Sequence, residues 1–114
     1  MRAFLKVTKA LSDKTRVRIF KMLQQRKMCV CEVQAVLGTA QSTVSKHLTI
    51  LEDAGLVSRT KDGLWVNYEI DRNSHNPHAG PIMEILNSIL DDDPDVKADM
   101  QKVRTVNRFE ICTK

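Results

Sequence analysis

Apolar residues recur with a helical period over most of this chain and with a period of two over one short stretch. Phe4, Leu5, Thr8 and Leu11 predict a short helix over about residues 3–11. The pair Ser12-Asp13 has capping chemistry, and Val17, Ile19, Phe20 and Leu23 then share one stripe of a second helix, Thr15–Leu23. Its other positions, Lys14, Arg16, Arg18 and Lys21, read as a cationic outer face, either solvated or partly in reach of phosphates. Met28–Leu37 reads as a third helix stopped at Gly38, and Thr39-Ala40 as a tight turn. A fourth helix begins at Gln41. Its apolar stripe is Val44, Leu48 and Leu51, and Gly55 before Leu56 supplies a left-handed stop. The opposite side carries Ser42, Lys46 and Thr49, with no carboxylate until Glu52.

After Leu56 the period drops to two. Val57–Lys61 and Leu64–Ile70 are rich in β-branched and aromatic residues and flank Asp62-Gly63, a strong hairpin signal. Val66, Tyr68 and Ile70 fall on one face of the second strand, and Trp65, Asn67 and Glu69 on the other. Asp71–Pro81 is a polar loop. Ile82, Ile85, Leu86, Ile89 and Leu90 predict a helix over Pro81–Leu90. Asp93-Pro94 has the form of an N-cap followed by proline, and Val96, Met100 and Val103 align on the last helix.

A short helix, a tight turn containing glycine, and a helix with a polar outer face is the helix-turn-helix pattern; the hairpin behind it reads as a wing over residues 57–70. The expected fold is therefore mainly α with a two-stranded β wing, one winged helix-turn-helix domain over residues 1–114. The helix at Pro81–Leu90 is too apolar on one face for the edge of a small monomer. With the N-terminal helix it predicts a homodimer, in keeping with groove-reading helices that work in two-fold pairs on inverted-repeat half-sites.

Charge strengthens the nucleic-acid reading. Residues 1–70 carry 12 Lys and Arg against 6 Asp and Glu, whereas residues 71–114 carry 6 against 8. A basic first part followed by an acidic second part suits a polyanion-binding module, here double-stranded DNA. The hydrophobic fraction of 42% and charged fraction of 28% are those of a globular chain. There is no apolar run of membrane-spanning length and no signal-peptide pattern, so the expectation is a cytoplasmic protein with reduced cysteines and no membrane partner. No cysteine–histidine or carboxylate pair is placed for catalysis, which argues against an enzyme.

Cys29-Val30-Cys31 stands at the start of the helix before the reading helix. On an ideal helix these side chains point about 200° apart, so they meet on one ligand only if the first turn is opened. Unpaired N–H groups at a helix N-terminus, with Arg26 and Lys27 nearby, are expected to lower the thiol pKa. Thiolates of that kind favour a soft, thiophilic metal or metalloid; the same spacing also suits two small buried hydrophobes.

Leu11-Ser-Asp-Lys-Thr-Arg16, Met28-Cys-Val-Cys-Glu32, Gln41-Ser-Thr-Val-Ser-Lys-His-Leu48, Ala54-Gly-Leu56 and Asp62-Gly-Leu-Trp-Val-Asn-Tyr68 together resemble the ArsR/SmtB family, over about residues 3–70. The resemblance implies a dimeric winged-helix repressor, and Cys-Val-Cys before an acidic residue is similar to the arsenite-responsive branch. In that branch trivalent arsenic or antimony on the thiols drives the repressor from its operator and derepresses a resistance operon. The resemblance thus implies Cys29 and Cys31 as ligands of the inducer As(III) or Sb(III), or of another thiophilic ion, with no cofactor otherwise required.

The sequence departs from the family pattern at three places. Gln34 stands where such repressors often have a third cysteine, which leaves Cys112 as a candidate ligand from either subunit. The helix after the wing holds only Glu84 as an ionisable residue, with His75 and His78 in the preceding loop, so the family's zinc site is not expected. Ala40 replaces a common capping Ser or Thr, which leaves Thr39 as the candidate cap.

The DNA-binding candidates are Gln41, Ser42, Thr43, Ser45, Lys46 and His47 on the reading helix, and Arg59, Lys61 and Gly63 on the wing. Lys46 fits a phosphate contact better than a base contact, and Gln41 has the amide to pair with adenine or simply occupies the first turn. His47 lies on the flank of the apolar stripe and suits packing or DNA contact equally. The wing residues suit a minor groove or a solvated tip, and Trp65 suits packing better than base stacking. On the same scaffold, reversible oxidation or persulfidation of Cys29 or Cys31 is the alternative input to metalloid binding.

Overall fold

The hydrophobic pattern resolves into seven helices and three strands over residues 1–111, the residues that the computed structural model describes. The order is α1 (Arg2–Ala10), α2 (Lys14–Gln25), β1 (Met28–Cys29), α3 (Val30–Leu37), α4 (Gln41–Asp53), β2 (Val57–Asp62), β3 (Trp65–Ile70), α5 (Ala79–Asn87), α6 (Pro94–Thr105) and α7 (Arg108–Ile111). The strands form one antiparallel sheet in the order β1-β3-β2. Ile19, Phe20 and Met22 of α2 lie at the centre of the core, against Val33 and Val36 of α3 and Val44, Leu48 and Leu51 of α4. Tyr68 and Ile70 close it from the sheet. No helix among the described residues is long and apolar enough to cross a membrane.

Local chemistry sets the ends of the elements that carry the interface. Asp13 caps α2, its carboxylate accepting the Arg16 N–H at 3.0 Å. Asp93 caps α6 the same way, accepting from Asp95 and Val96, with Pro94 in the first turn. Past α4, the Gly55 N–H donates to Glu52 O and the Leu56 N–H to Leu51 O, each at 3.0 Å, the paired bonds of a Schellman ending. This ending requires φ +81° at Gly55, which is why glycine stands there.

The structure differs from the sequence reading at several elements. Met28 and Cys29 are not the first turn of a helix: they pair with Tyr68 and Asn67 of β3, adding a third strand, and α3 starts at Val30. A two-residue strand has no periodicity of its own to announce it. The wing turn is Gly63-Leu64 rather than Asp62-Gly63, because Asp62 pairs with Trp65 and Gly63 alone has positive φ, the pattern of a type II′ turn. On α1 the buried residues are Val7 and Ala10, whereas Phe4 and Leu5 face outward. The helix after the loop runs Ala79–Asn87, beginning earlier and ending earlier than its apolar stripe suggested. Thr39 does not cap α4; the N-cap is Ala40, without a side-chain bond.

The largest correction concerns the cations of α2, of which only Lys14 keeps to the exposed outer face. Lys21 is 2% exposed, its ammonium donating to Leu86 O at 2.6 Å and Ile89 O at 3.0 Å and pairing with Asp91. A cation there satisfies carbonyls at the end of α5. Arg18 makes a two-pronged pair with buried Asp99 of α6, both contacts 2.8 Å, and Lys14 pairs with Asp95. The acidic second part of the chain thus neutralises much of the basic first part internally, a role the charge count could not separate from polyanion binding.

Candidate nucleic-acid interface and thiol site

Because α4 starts on Ala40, nothing but backbone organises its first turn. Ala40 O accepts the Thr43 and Val44 N–H groups at 3.1 and 3.2 Å, and the N–H groups ahead of them have no intrahelical acceptor. Gln41, Ser42, Thr43 and Lys46 are exposed around this end, while Ser45 and His47 are half-buried. An open helix N-terminus flanked by hydroxyls and an ammonium is suited to a phosphate oxygen. The apolar stripe Val44, Leu48 and Leu51 is fully buried, so the polar side is the one left facing out.

Arg16 locks the flank of this helix. Its guanidinium donates to Ala10 O at 2.7 Å and Lys9 O at 3.3 Å and lies 3.3 Å from His47 Nδ1. A guanidinium can only donate, so Nδ1 is the accepting side of this contact. Arg16, Ser42, Thr43, Lys46, His47 and Ile50 together line a shallow depression beside α4.

On the wing, Lys61 and Gly63 are exposed near the tip. Arg59 is not at the tip: it pairs across from Tyr68, stacks on that ring at 5.4 Å and grips Glu52 of α4 by contacts of 2.7–3.1 Å. Arg59 therefore ties the wing to the reading helix. Trp65 packs edge-on against Phe109 at 6.1 Å and beneath the Arg108 guanidinium at 5.0 Å.

The thiol site is built from the junction of β1 and α3. Cys29 is extended (φ −87°, ψ 169°) and serves as the N-cap of α3. Its thiol faces the Glu32 N–H, while the Glu32 carboxylate accepts the Cys29 N–H at 3.0 Å, a reciprocal capping box. Cys29 thus stands just outside α3, whose first turn is closed by this box, and Cys31 lies within it. The expected lowering of the thiol pKa does not occur at Cys29. Burial pushes this thiol up and the Glu32 carboxylate adds to the effect, against the smaller pull of the Glu32 N–H.

Arg26 is not aimed at the thiol either. It pairs with Glu32 at 3.1 Å and donates to Val103 O and Val106 O. Cys29 is a free thiol. Cys112 lies outside the described residues. Among the described residues, no group of three or more His, Cys, Asp or Glu is placed to hold a metal ion.

Two residues of this site escaped the sequence reading. Arg108 Nη2 donates to Asn67 Oδ1 at 2.5 Å and lies 3.3 Å from Glu32 Oε1, and Asn67 is 1% exposed. Asn67 sits on the face of β3 that alternation marks as polar, and Arg108 follows the last periodic stretch, so neither carried a signal.

A model of the family described as "Bacterial regulatory protein, arsR family" matches residues 13–59, from the cap of α2 into the wing. A transcriptional regulator of the helix-turn-helix type from Methanocaldococcus jannaschii is 43% identical over 65 residues, 56% of this chain and 73% of that protein. The arsenical resistance operon repressor of Bacillus subtilis is 34% identical over 77 residues, 67% of this chain and 73% of that protein. The chain belongs to the ArsR family. ArsR-family proteins are DNA-binding transcriptional regulators rather than enzymes, which fits the exposed polar side of α4. The homodimeric winged helix-turn-helix DNA-binding domain of a possible ArsR-family regulator from Mycobacterium bovis has the same fold. Its TM-score is 0.67 at 22% identity, and the match covers 82% of each chain.

Proposed function

We propose that this ArsR-family chain is a homodimeric repressor whose hold on an inverted-repeat operator is released when Cys29 and Cys31 ligate trivalent arsenic or antimony. The observation that carries the reading is the position of Cys29. It ends a strand paired to the wing and caps α3, whose other end turns through Gly38–Ala40 directly into α4. A displacement of a few tenths of an ångström at this junction is transmitted to both DNA-facing elements, because packed cores shift between discrete arrangements rather than deform gradually.

Gln41, Ser42, Thr43, Ser45, Lys46 and His47 face the operator from α4, and Lys61 and Gly63 from the wing. Arg59, committed to Glu52, orients the wing. Two apolar surfaces suit the dimer: Phe4 and Leu5 on α1, 40% and 52% exposed, and Ile85 and Ile89 on and after α5, 54% and 43% exposed.

The donor set suits a thiophilic centre and is poor for hard cations. Cys29 and Cys31 both enter the reaction as thiols. Cys29 and Cys31 then displace two hydroxides of arsenous acid, each thiol proton leaving with a hydroxide as water, with no change in the oxidation state of arsenic. A tenfold loss of operator affinity needs only about 1.4 kcal/mol of differential binding between the two states.

Arsenite titrated into the reduced protein with labelled operator tests this. Release in the wild type and retention in the Cys29→Ser/Cys31→Ser double variant is expected; equal release from both overturns it. The alternative on the same scaffold is a thiol-redox or persulfide-responsive repressor, in which reversible oxidation of Cys29 or Cys31 replaces metalloid ligation. Operator release by peroxide or polysulfide, with indifference to arsenite, selects that reading.

A further inference from the structure

Cys29 reaches the wing by a second route that bypasses the reading helix. The Cys29 N–H donates to Glu32 Oε1 at 3.0 Å, and the same oxygen lies 3.3 Å from Arg108 Nη2. That nitrogen also donates to Asn67 Oδ1, on the strand of the wing, and the guanidinium stacks on Trp65, the residue paired with Asp62 beside the wing turn. Glu32 and Asn67 are 3% and 1% exposed, so this chain of contacts runs in a medium where hydrogen bonds couple strongly. Asn67 is also the β-ladder partner of Cys29, so backbone and side chains join the same two points.

We propose that Arg108 is a positioning residue that couples the state of the Cys29 junction to the posture of the wing, by bridging Glu32 to Asn67 and covering Trp65. The proposal rests on the reading of Cys29 as the input of the repressor. A ligand drawing the Cys29 sulfur away from its capping position pulls its N–H off Glu32. The freed carboxylate oxygen then attracts Arg108 more strongly, at the expense of Asn67 and of the stack on Trp65. Arginine suits this work because its planar fork makes several directed bonds while one face lies on an indole.

The chain has a single tryptophan, so Trp65 emission reports the wing directly. Two arms test the proposal on the reduced full chain. In the first, Cys29→Ala is made in the wild type and in R108Q, with no metalloid present, and Trp65 emission and operator affinity are read as a double-mutant cycle. The proposal expects Cys29→Ala to shift emission and to change operator affinity about tenfold in the wild type, and less than about threefold in R108Q. Equal responses in both backgrounds overturn it.

In the second arm sodium arsenite is titrated while absorbance in the sulfur-to-arsenic region and Trp65 emission are followed together. R108Q and R108K are expected to keep the absorbance change, lose the emission change and release operator weakly; R108K retains the charge but not the fork. Wild-type emission and release in these variants overturn the proposal. Absence of the absorbance change in the wild type overturns metalloid sensing instead, and the first arm then decides the coupling alone.

Discussion

Glu32→Gln removes one charge from the centre of the thiol site while keeping its shape, and its cost can be worked from the contacts. The Glu32 side chain is 4% exposed and accepts from the Cys29 N–H, Arg26 and Arg108. The bond from Cys29 survives, since an amide oxygen replaces the carboxylate oxygen. The Arg108 contact, with that side chain 14% exposed, changes from an ion pair to a guanidinium–amide bond and loses about 1.5 kcal/mol. Arg26 is 37% exposed and screened by water, so its loss is about 0.5 kcal/mol. The new amide NH2 faces a guanidinium with no acceptor between them, adding about 1 kcal/mol. The sum is about 3 kcal/mol, which at about 4 °C per kcal/mol lowers the melting temperature by about 12 °C.

Thermal unfolding followed by circular dichroism at neutral pH measures the difference. Burial raises the Glu32 carboxyl pKa, but the Cys29 N–H and the guanidiniums of Arg26 and Arg108 outweigh it, holding the group below its ordinary value of 4.5. A depressed folded pKa means stabilisation that is complete above the unfolded value and is lost as pH falls through the folded one. The gap between wild type and variant must therefore be constant from about pH 6 to 8 and shrink below about pH 4.5. A gap under 2 °C at neutral pH, or one that widens in acid, refutes the reasoning.

Three further outcomes follow from the same geometry. Asp99→Ala leaves the Arg18 fork without its buried partner between α2 and α6 and is expected to cost about 3 kcal/mol in urea unfolding; under 1 kcal/mol contradicts it. Lys46→Ala weakens binding to operator and to unrelated DNA alike and lowers the slope of log K against log salt by about 1, read by titration at several salt concentrations. Cys29, buried with its pKa raised, is alkylated by iodoacetamide in the native protein only at higher pH than in the denatured chain. Coincident pH profiles contradict that.

Long periodic segments were legible in the sequence and short or tertiary features were not. Val44, Leu48 and Leu51 placed α4 and its inward side without ambiguity, and Gly55 placed its end, because both signals are local. The Asp13 and Asp93 caps read correctly for the same reason. The pairing of Met28-Cys29 with β3 was hidden, since it depends on a partner about forty residues away. The α2 cations misled for a related reason: Lys21 and Arg18 look alike on a helical wheel, and only α5 and α6 turn one into a buried cap and the other into a buried pair. At the thiol site the cysteines were visible, but the direction of the Cys29 pKa shift was not. It depends on burial and on Glu32, which outweigh the helix N-terminus.

The central claim is that thiol chemistry at Cys29 and Cys31 governs operator occupancy, and anisotropy of a labelled operator under arsenite titration tests it most directly. The account predicts that reduced wild-type protein loses affinity about tenfold or more, while the Cys29→Ser/Cys31→Ser double variant stays bound at every arsenite concentration. Release of the double variant at the wild-type midpoint would contradict it.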